Sequence, residues 1–234
     1  MQLTKPLVEK LKEKSKDYNV FDSLHKVTAF FHSKGTDVVT IGSCAVASHF
    51  NYIYRLPNDI DLVISQKSFK PIESNLNDTY NLIEKNGYHE FYVDRFKVHL
   101  VIDSLKIIDF KTNDIFTQID LDLPKDFIES KKLISKLDGR DVPIKTPKIE
   151  IGFLLSLLGP LNTNTTEDAI KILESFNLDP TIVLSFIDRQ NEPETVRALA
   201  EERLAQLLTV LYRHRQYNRH AIEKLFDFIF KLGL

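Results

Sequence analysis

The chain has 234 residues, 43% of them hydrophobic and 27% charged, and a formal net charge of −2. A chain of this length buries roughly 70% of its unfolded surface, so one large or two small globular domains are expected and disorder is excluded as the main state. The balance of 31 basic against 33 acidic residues argues against a general polyanion-binding surface, and the single Cys44 excludes an internal disulfide and cysteine-rich zinc modules.

No apolar run approaches the ~20 residues of a bilayer span. The segment Met1 to Pro6 leads into a charged helical pattern rather than a signal-peptide core. A soluble, cytoplasmic protein with no membrane partner is therefore expected. The histidines at 25, 32, 49, 89, 99, 214 and 220 form no H-x3-H or H-E-x-x-H arrangement, which leaves a carboxylate-held Mg²⁺ as the open metal chemistry.

In chain order, residues 6–17 and 20–34 carry apolar side chains at helical spacing (Leu7, Val8, Leu11; then Phe21, Leu24, Val27, Phe30, Phe31), with Gly35 placed to close the second helix. Residues 37–41 are a short β-branched strand, broken at Gly42 and followed by small and apolar residues from Ser43 to Phe50: strand, turn, helix. Asp59 to Ser65 reads as the next strand. Residues 67–85 read as helices closed by Asn86-Gly87. Two hairpins are expected, Phe96–Ile102 with Leu105–Lys111 across Asp103-Ser104, and Lys132–Leu137 with Arg140–Lys145 across Asp138-Gly139.

Beyond Thr146-Pro147, an N-cap and N1 pair, every segment reads as helical: 147–158, 166–177 with a capping box from Thr165 to Asp168, 180–190, 193–213 and 218–232. The expected fold class is α+β: N-terminal helices over 1–35, a mixed β-sheet packed with helices over 36–146, and an all-helical C-terminal region over 147–234. In that last region Leu204, Leu207, Leu208, Leu211, Ile222, Leu225, Phe226, Ile229 and Phe230 recur at helical spacing, which a packed bundle explains and a homodimer face would also use. The basic cluster Arg213-His214-Arg215 with Arg219-His220 reads either as a solvated turn or as a patch for RNA phosphates.

The segment that carries chemistry is V-T-I-G-S-C-A-V-A-S-H-F-N-Y-I-Y-R-L-P-N-D-I-D-L-V-I-S, residues 39–65. A strand delivers Gly42 and Ser43 to the start of a helix, where backbone N–H groups and the helix dipole favour an anion. Asp59 and Asp61 alternate along a strand, so their carboxylates share one face, and two like charges that close need a cation, a proton or solvent between them. Each group also has a plain structural reading: Gly42-Ser43 as a turn, the aspartates as a solvated strand face, His49 as a packing residue, Cys44 as a small buried one.

These residues resemble the minimal nucleotidyltransferases of the DNA polymerase β-like superfamily, whose signature is a hydrophobic residue, Gly, Gly or Ser, then after a spacer Asp-h-[Asp/Glu]-h. Ile41-Gly42-Ser43 and Asp59-Ile60-Asp61-Leu62 fill it. Ala45, His49 and Arg55 make the chain similar to the AbiEii-type, toxin–antitoxin-associated branch. The resemblance spans about residues 36–158 and is most specific over 41–62. It implies a nucleotidyltransferase-like sheet and transfer of a nucleoside monophosphate from an NTP to a hydroxyl on RNA, protein or a small molecule. Asp59, Asp61 and a third carboxylate would hold two Mg²⁺ ions, and Gly42, Ser43 and Arg55 would bind the nucleotide phosphates. Asp109 is the expected third carboxylate and Asp103 its alternative. Many members of that branch are toxins of toxin–antitoxin or phage-defence systems, so a cognate antitoxin is an implied partner. Ser43 in place of a second glycine, and no lysine after Lys148 in the helix that follows Pro147, depart from the branch. The rival expectation is a catalytically inactive nucleotidyltransferase fold that binds nucleotide or RNA as a regulatory module.

Overall fold

The computed structural model describes residues 20–55, 57–85, 87–108, 115–135, 139–159, 162–213 and 215–233. The chain divides into two compact units, one comprising the residues up to Asp103 with Ile128–Thr146, the other Ser104–Phe127 with the residues from Pro147 onward. The fold is mixed α+β, as the sequence leads one to expect. The helix expected over 6–17 lies outside the described residues.

The first unit opens with helix α1 (20–33), whose Val20, Phe21, Leu24, Val27 and Phe31 are all fully buried at helical spacing. Gly35 closes it at φ 65°: its N–H donates to His32 O at 2.9 Å and the Thr36 N–H to Phe31 O at 3.0 Å, the paired bonds of a Schellman cap. Strand β1 (Val39–Ile41) then runs into helix α2 (Gly42–His49). The small residues Cys44, Ala45, Val46, Ala47 and Ser48 are buried, so this helix lies close on the sheet.

Seven strands form one mixed sheet. Besides β1 they are β2 (Ile60–Ile64), β3 (Ile83–Lys85), β4 (Tyr88–Val93), β5 (Phe96–Ile102), β8 (Ile128–Ile134) and β9 (Asp141–Pro147). The order is β3-β4-β5-β2-β1-β9-β8. Strand β2 is central, antiparallel to β1 (Ile41 opposite Asp61) and parallel to β5 (Asp61 opposite His99). Ile60, Leu62 and Ile64 on one of its faces join Val98 and Leu100 of β5, the α1 residues, Phe69, Ile72 and Leu76 in a single apolar core. Burial on that face fixes the register, because a slip by one residue would place Asp61 in the core.

Three expectations are corrected here. Residues 67–85 are not helical throughout: α3 (Gln66–Phe69) and α4 (Glu73–Tyr80) are followed by Asn81 at φ 56° and then by β3. The short helices end because Asn81 takes the left-handed position while the Asn77 side chain accepts the Leu82 N–H at 3.1 Å. Second, β5 and β6 (Ser104–Ile108) do not form a hairpin. Strand β5 has β2 on one edge and β4 on the other, so it has no edge left, and β6 pairs instead with β7 (Ile115–Asp120) in a separate two-stranded sheet. Third, Thr146 and Pro147 end β9, and the following helix starts two residues later. Strands β8 and β9 are neighbours, as expected, with Gly139 at φ 71° between them.

The second unit holds the β6–β7 pair and five helices: α5 (Ile149–Leu158), α6 (Thr163–Ser175), α7 (Pro180–Ile187), α8 (Pro193–Arg213) and α9 (Arg215–Leu232). Helix α5 buries seven of its ten residues and packs against α6, α7 and α8. The capping box of α6 is Asn162 with Thr165, not Thr165 with Asp168, because the helix begins three residues earlier than its apolar pattern; Asp168 is buried instead. Helix α9 buries Ala221, Ile222, Leu225, Phe228 and Leu232 and leaves Phe226 and Phe230 exposed, a rotation of the expected apolar face. Among the described residues no helix is long and apolar enough to cross a membrane.

Candidate functional site

The site forms in the first unit where β1 gives way to α2. Gly42 sits at φ 63°, a conformation costly for any residue with a Cβ, and a Cβ built there would run into the Asp61 carboxylate. Glycine is thus required twice, by the backbone angle and by the close approach of Asp61. The antiparallel pairing of Ile41 with Asp61 creates that approach, since it sets the acid beside the first residue of α2.

Asp59 immediately precedes β2 and Asp61 lies within it. Their carboxylates are about a quarter exposed, at 28% and 27%, open enough to be reached from solvent. Both face His99, whose Nδ1 is 3.1 Å from Asp61 Oδ1 and 3.6 Å from Asp59 Oδ2. Burial and the neighbouring Asp61 charge raise the pKa of Asp59, against the opposing pull of His99, Lys97 and Arg55. Burial would lower the His99 pKa, but the hydrogen bond with Asp61 and the charges of both aspartates outweigh it and raise it.

Arg55 reaches the same place from the loop between α2 and β2. Asn51, at φ 62°, turns the chain there, and its carbonyl accepts the Ile134 N–H of β8 at 2.9 Å, which ties the loop to the sheet. The Arg55 guanidinium donates from Nη2 to Ser43 Oγ at 2.6 Å. So Gly42, Ser43, Arg55, Asp59 and Asp61, singled out from sequence, are brought together. Cys44 is 1% exposed, its Sγ 4.0 Å from the Asp59 carbonyl, and His49 ends α2.

Asp109 lies outside the described residues. Asp103 stands four residues beyond His99 on β5, about 13 Å along an extended strand. Its carboxylate accepts the Gln66 N–H at 2.8 Å and its own N–H donates to Ile64 O at 3.0 Å. It therefore pins the start of α3 and is not near the aspartate pair. His214 and the side chains of Arg215 to Asn218 are likewise outside the description; Arg219 pairs with Glu223 at 3.0 Å on the helix surface.

The residue that sequence reasoning missed is His99. The signal was present as a polar residue among Val98, Leu100 and Val101 in an otherwise apolar strand. Its meaning depends on the parallel register of β5 on β2, which the sequence does not state. One donor atom each from Asp59, Asp61 and His99 lie within 4.8 Å of one another. Two carboxylates and an imidazole at that spacing are a donor set that fits a divalent metal ion.

No protein-family model matches the chain, and no curated protein matches it. Among solved structures, the solution structure of the antibiotic-resistance factor ANT(2'')-Ia is similar at 12% identity and a TM-score of 0.48, over 86% of this chain and 99% of that one. Its crystal structure in complex with adenylyl-2''-tobramycin matches at 12% identity and a TM-score of 0.45, over 80% and 98%. An antigenic nucleotidyltransferase-like protein from Paracoccidioides brasiliensis matches at 12% identity and a TM-score of 0.46, over 86% and 92%. These are similarities of chain path.

Proposed function

We propose that the protein is a metal-dependent nucleotidyltransferase that moves a nucleoside monophosphate from an NTP to a hydroxyl acceptor on RNA, protein or a small molecule. One convergence supports the reading: the Asp61 carboxylate on a central strand stands against a glycine turn at a helix start, Asp59 just before that strand faces the same imidazole, and an arginine is held on the serine that adjoins the glycine. A solvated strand face or a plain turn does not need Asp61 packed onto Gly42 or Arg55 drawn to Ser43.

In this reading Asp59 and Asp61 hold divalent metal, with two Mg²⁺ ions as the resemblance implies. When bound, metal offsets the negative charge of the triphosphate and of the transferring phosphoryl group. The first turn of α2 offers phosphate oxygens its N–H groups and the positive end of its dipole, while the bare Cα of Gly42 admits the Asp61 carboxylate beside it. Ser43 supplies a hydroxyl donor, and Arg55 a planar cation able to grip two oxygens at once. The acceptor oxygen forms a bond to the α-phosphorus, the bond from that phosphorus to its bridging oxygen breaks, and pyrophosphate leaves with the electron pair. The acceptor's proton passes to the third carboxylate, Asp109, or to water. Holding both reactants in line is the main source of rate, since little covalent chemistry falls to the protein itself.

A toxin's role and a cognate antitoxin belong to this proposal only through Ala45, His49 and Arg55 and the branch they resemble; induced expression without a co-expressed partner, scored for growth arrest, tests that part. The activity is tested by incubating the protein with α-³²P-labelled NTPs, divalent metal and cellular RNA and protein. Label should be transferred, and Asp61→Asn should cut it by at least ~100-fold, the loss of several kcal/mol of metal-based stabilisation. Undiminished labelling by Asp61→Asn refutes the assignment. Metal-independent nucleotide binding without transfer in wild type would favour the inactive regulatory module.

A further inference from the structure

We infer that His99 is a metal ligand through Nδ1, and that it turns the centre toward Mn²⁺, Co²⁺ or Zn²⁺ in preference to Mg²⁺. The inference rests on the reading of Asp59 and Asp61 as metal-holding residues and adds the identity of the third donor and of the ion. It departs from the Mg²⁺ pair that the sequence resemblance implies.

The first ground is register. Glu90 of β4, His99 of β5 and Asp61 of β2 stand opposite one another across three adjacent strands, so they form one row across the sheet. Within that row His99 turns Nδ1 to the two aspartates, at 3.1 and 3.6 Å, and Nε2 to the other side. Nδ1 is thus the imidazole atom placed where the carboxylates converge.

The second ground is the far side of the ring. Nε2 is buried and has no hydrogen-bond partner among the described residues, and the Glu90 carboxylate stands 3.7 Å from it. Buried polar atoms are nearly always satisfied, so an orphan at this point calls for an explanation. A ligating histidine binds metal through one nitrogen and directs the N–H of the other at a carboxylate, which fixes the tautomer and the ring plane. Glu90, only 15% exposed, is in place for that bond once a small approach closes the gap. The Tyr88 ring meets the imidazole edge-on at a centroid distance of 4.8 Å and limits its rotation.

The third ground is the donor set. Two carboxylates and a neutral imidazole carry a charge of −2, matched to a single divalent ion. Mg²⁺ prefers oxygen ligands and retains water, whereas imidazole suits the later first-row ions and Mn²⁺ accepts both kinds of donor.

The test uses the full chain stripped of metal by chelation. Calorimetric titration with MnCl₂, CoCl₂ and MgCl₂ should show one site binding Mn²⁺ and Co²⁺ at least ~10-fold tighter than Mg²⁺. Pulsed electron paramagnetic resonance of the Mn²⁺ complex should show coupling to one imidazole nitrogen. His99→Asp should abolish that coupling and weaken Mn²⁺ and Co²⁺ by roughly 10- to 100-fold while leaving Mg²⁺ binding equal or stronger. Glu90→Gln should retain the coupling and weaken Co²⁺ by about 10-fold, the usual effect of losing a carboxylate that orients a ligand. The wild-type spectrum needs no variant to fold. Absence of nitrogen coupling, or an unchanged Mn²⁺-to-Mg²⁺ ratio in His99→Asp, overturns the inference. Metal-dependent labelling without nitrogen coupling removes the role of His99 and leaves the nucleotidyl-transfer reading intact; nitrogen coupling without any labelling does the reverse.

Discussion

Gly42→Ala separates the two demands placed on that position. The left-handed backbone at φ 63° costs an alanine about 1–2 kcal/mol. For a chain of this length each kcal/mol lowers Tm by roughly 2–4 °C, so the angle alone accounts for a fall of roughly 2–8 °C. Gly35→Ala provides the control: φ is 65°, and a Cβ there meets nothing within 4 Å. Its loss of stability should match that of Gly42→Ala to within ~1 kcal/mol, because the group that obstructs the new methyl at residue 42 is the end of the Asp61 side chain, which can swing aside. The functional costs should diverge. A carboxylate driven roughly 1 Å from its place loses about 100-fold where geometry is critical, so Gly42→Ala should weaken metal binding and nucleotide labelling by that order while Gly35→Ala leaves both unchanged. Thermal unfolding, metal titration and label transfer on the two variants check the reasoning. If Gly42→Ala keeps metal affinity and labelling within twofold of wild type, Asp61 does not act against that turn and the site is wrongly built.

Two further predictions concern the second unit. The Asp179 carboxylate caps α7, accepting from the Thr181 hydroxyl at 2.7 Å and the Thr181 N–H at 2.9 Å, and these bonds hold its pKa below the ordinary value. Asp179→Ala should cost about 1 kcal/mol at neutral pH. The cap's contribution is present above the unfolded pKa of ~3.9 and lost as pH falls through the lower folded value, so wild type and variant should converge in acid; a Tm difference independent of pH would refute the cap. On α9, Phe228→Ala should cost about 3–5 kcal/mol and Phe230→Ala at most ~0.5 kcal/mol, since the first is 4% exposed and the second 83%. Comparable losses in chemical denaturation would contradict the observed rotation of the helix.

What the sequence disclosed follows from which interactions are local. The strand-turn-helix at 37–49 was legible because β-branched residues, a glycine and a run of small residues each act within a few positions. The Asp59–Asp61 pair was legible because strand alternation puts both on one face whatever the strand's partners. The α7 and α8 starts were legible because Pro180 and Pro193 mark them. The β5–β6 hairpin was misread because Asp103-Ser104 looks like a turn; that Asp103, at φ 57°, leads the chain out of the sheet depends on β4 and β2 having taken both edges of β5. His99 escaped for the same reason: its neighbours in space come from Asp61 across one strand pair and Glu90 across another. The apolar face of α9 was read as 222, 225, 226, 229 and 230, and only packing decides that Phe228 and Leu232 turn inward while Phe226 and Phe230 stay out.

The same geometry implies that the site is held at a cost to the fold, and Asp59→Asn measures it. Asp59 is partly buried beside Asp61, and both effects raise its pKa, with His99, Lys97 and Arg55 compensating only in part. A raised pKa on a carboxylate means that its ionised form is less favourable in the folded chain than in the unfolded one. At neutral pH the metal-free Asn variant therefore sheds a charge that burial first, and the Asp61 carboxylate second, disfavour, and its Tm should rise. The advantage should shrink as pH falls through the folded pKa of Asp59, where the wild-type carboxyl becomes neutral as well. In the presence of Mn²⁺ the order should reverse, because wild type gains stability in proportion to the logarithm of metal concentration over Kd and the variant, one ligand short, gains much less. Differential scanning calorimetry with chelator and with added Mn²⁺, at pH 4 and pH 7, gives all four comparisons. A metal-free Asn variant with lower Tm than wild type at pH 7 would mean that the attraction of Asp59 to His99, Lys97 and Arg55 exceeds the cost of its burial and its repulsion from Asp61, and that the pair rests there as a structural salt bridge and not as a charge cluster awaiting a cation.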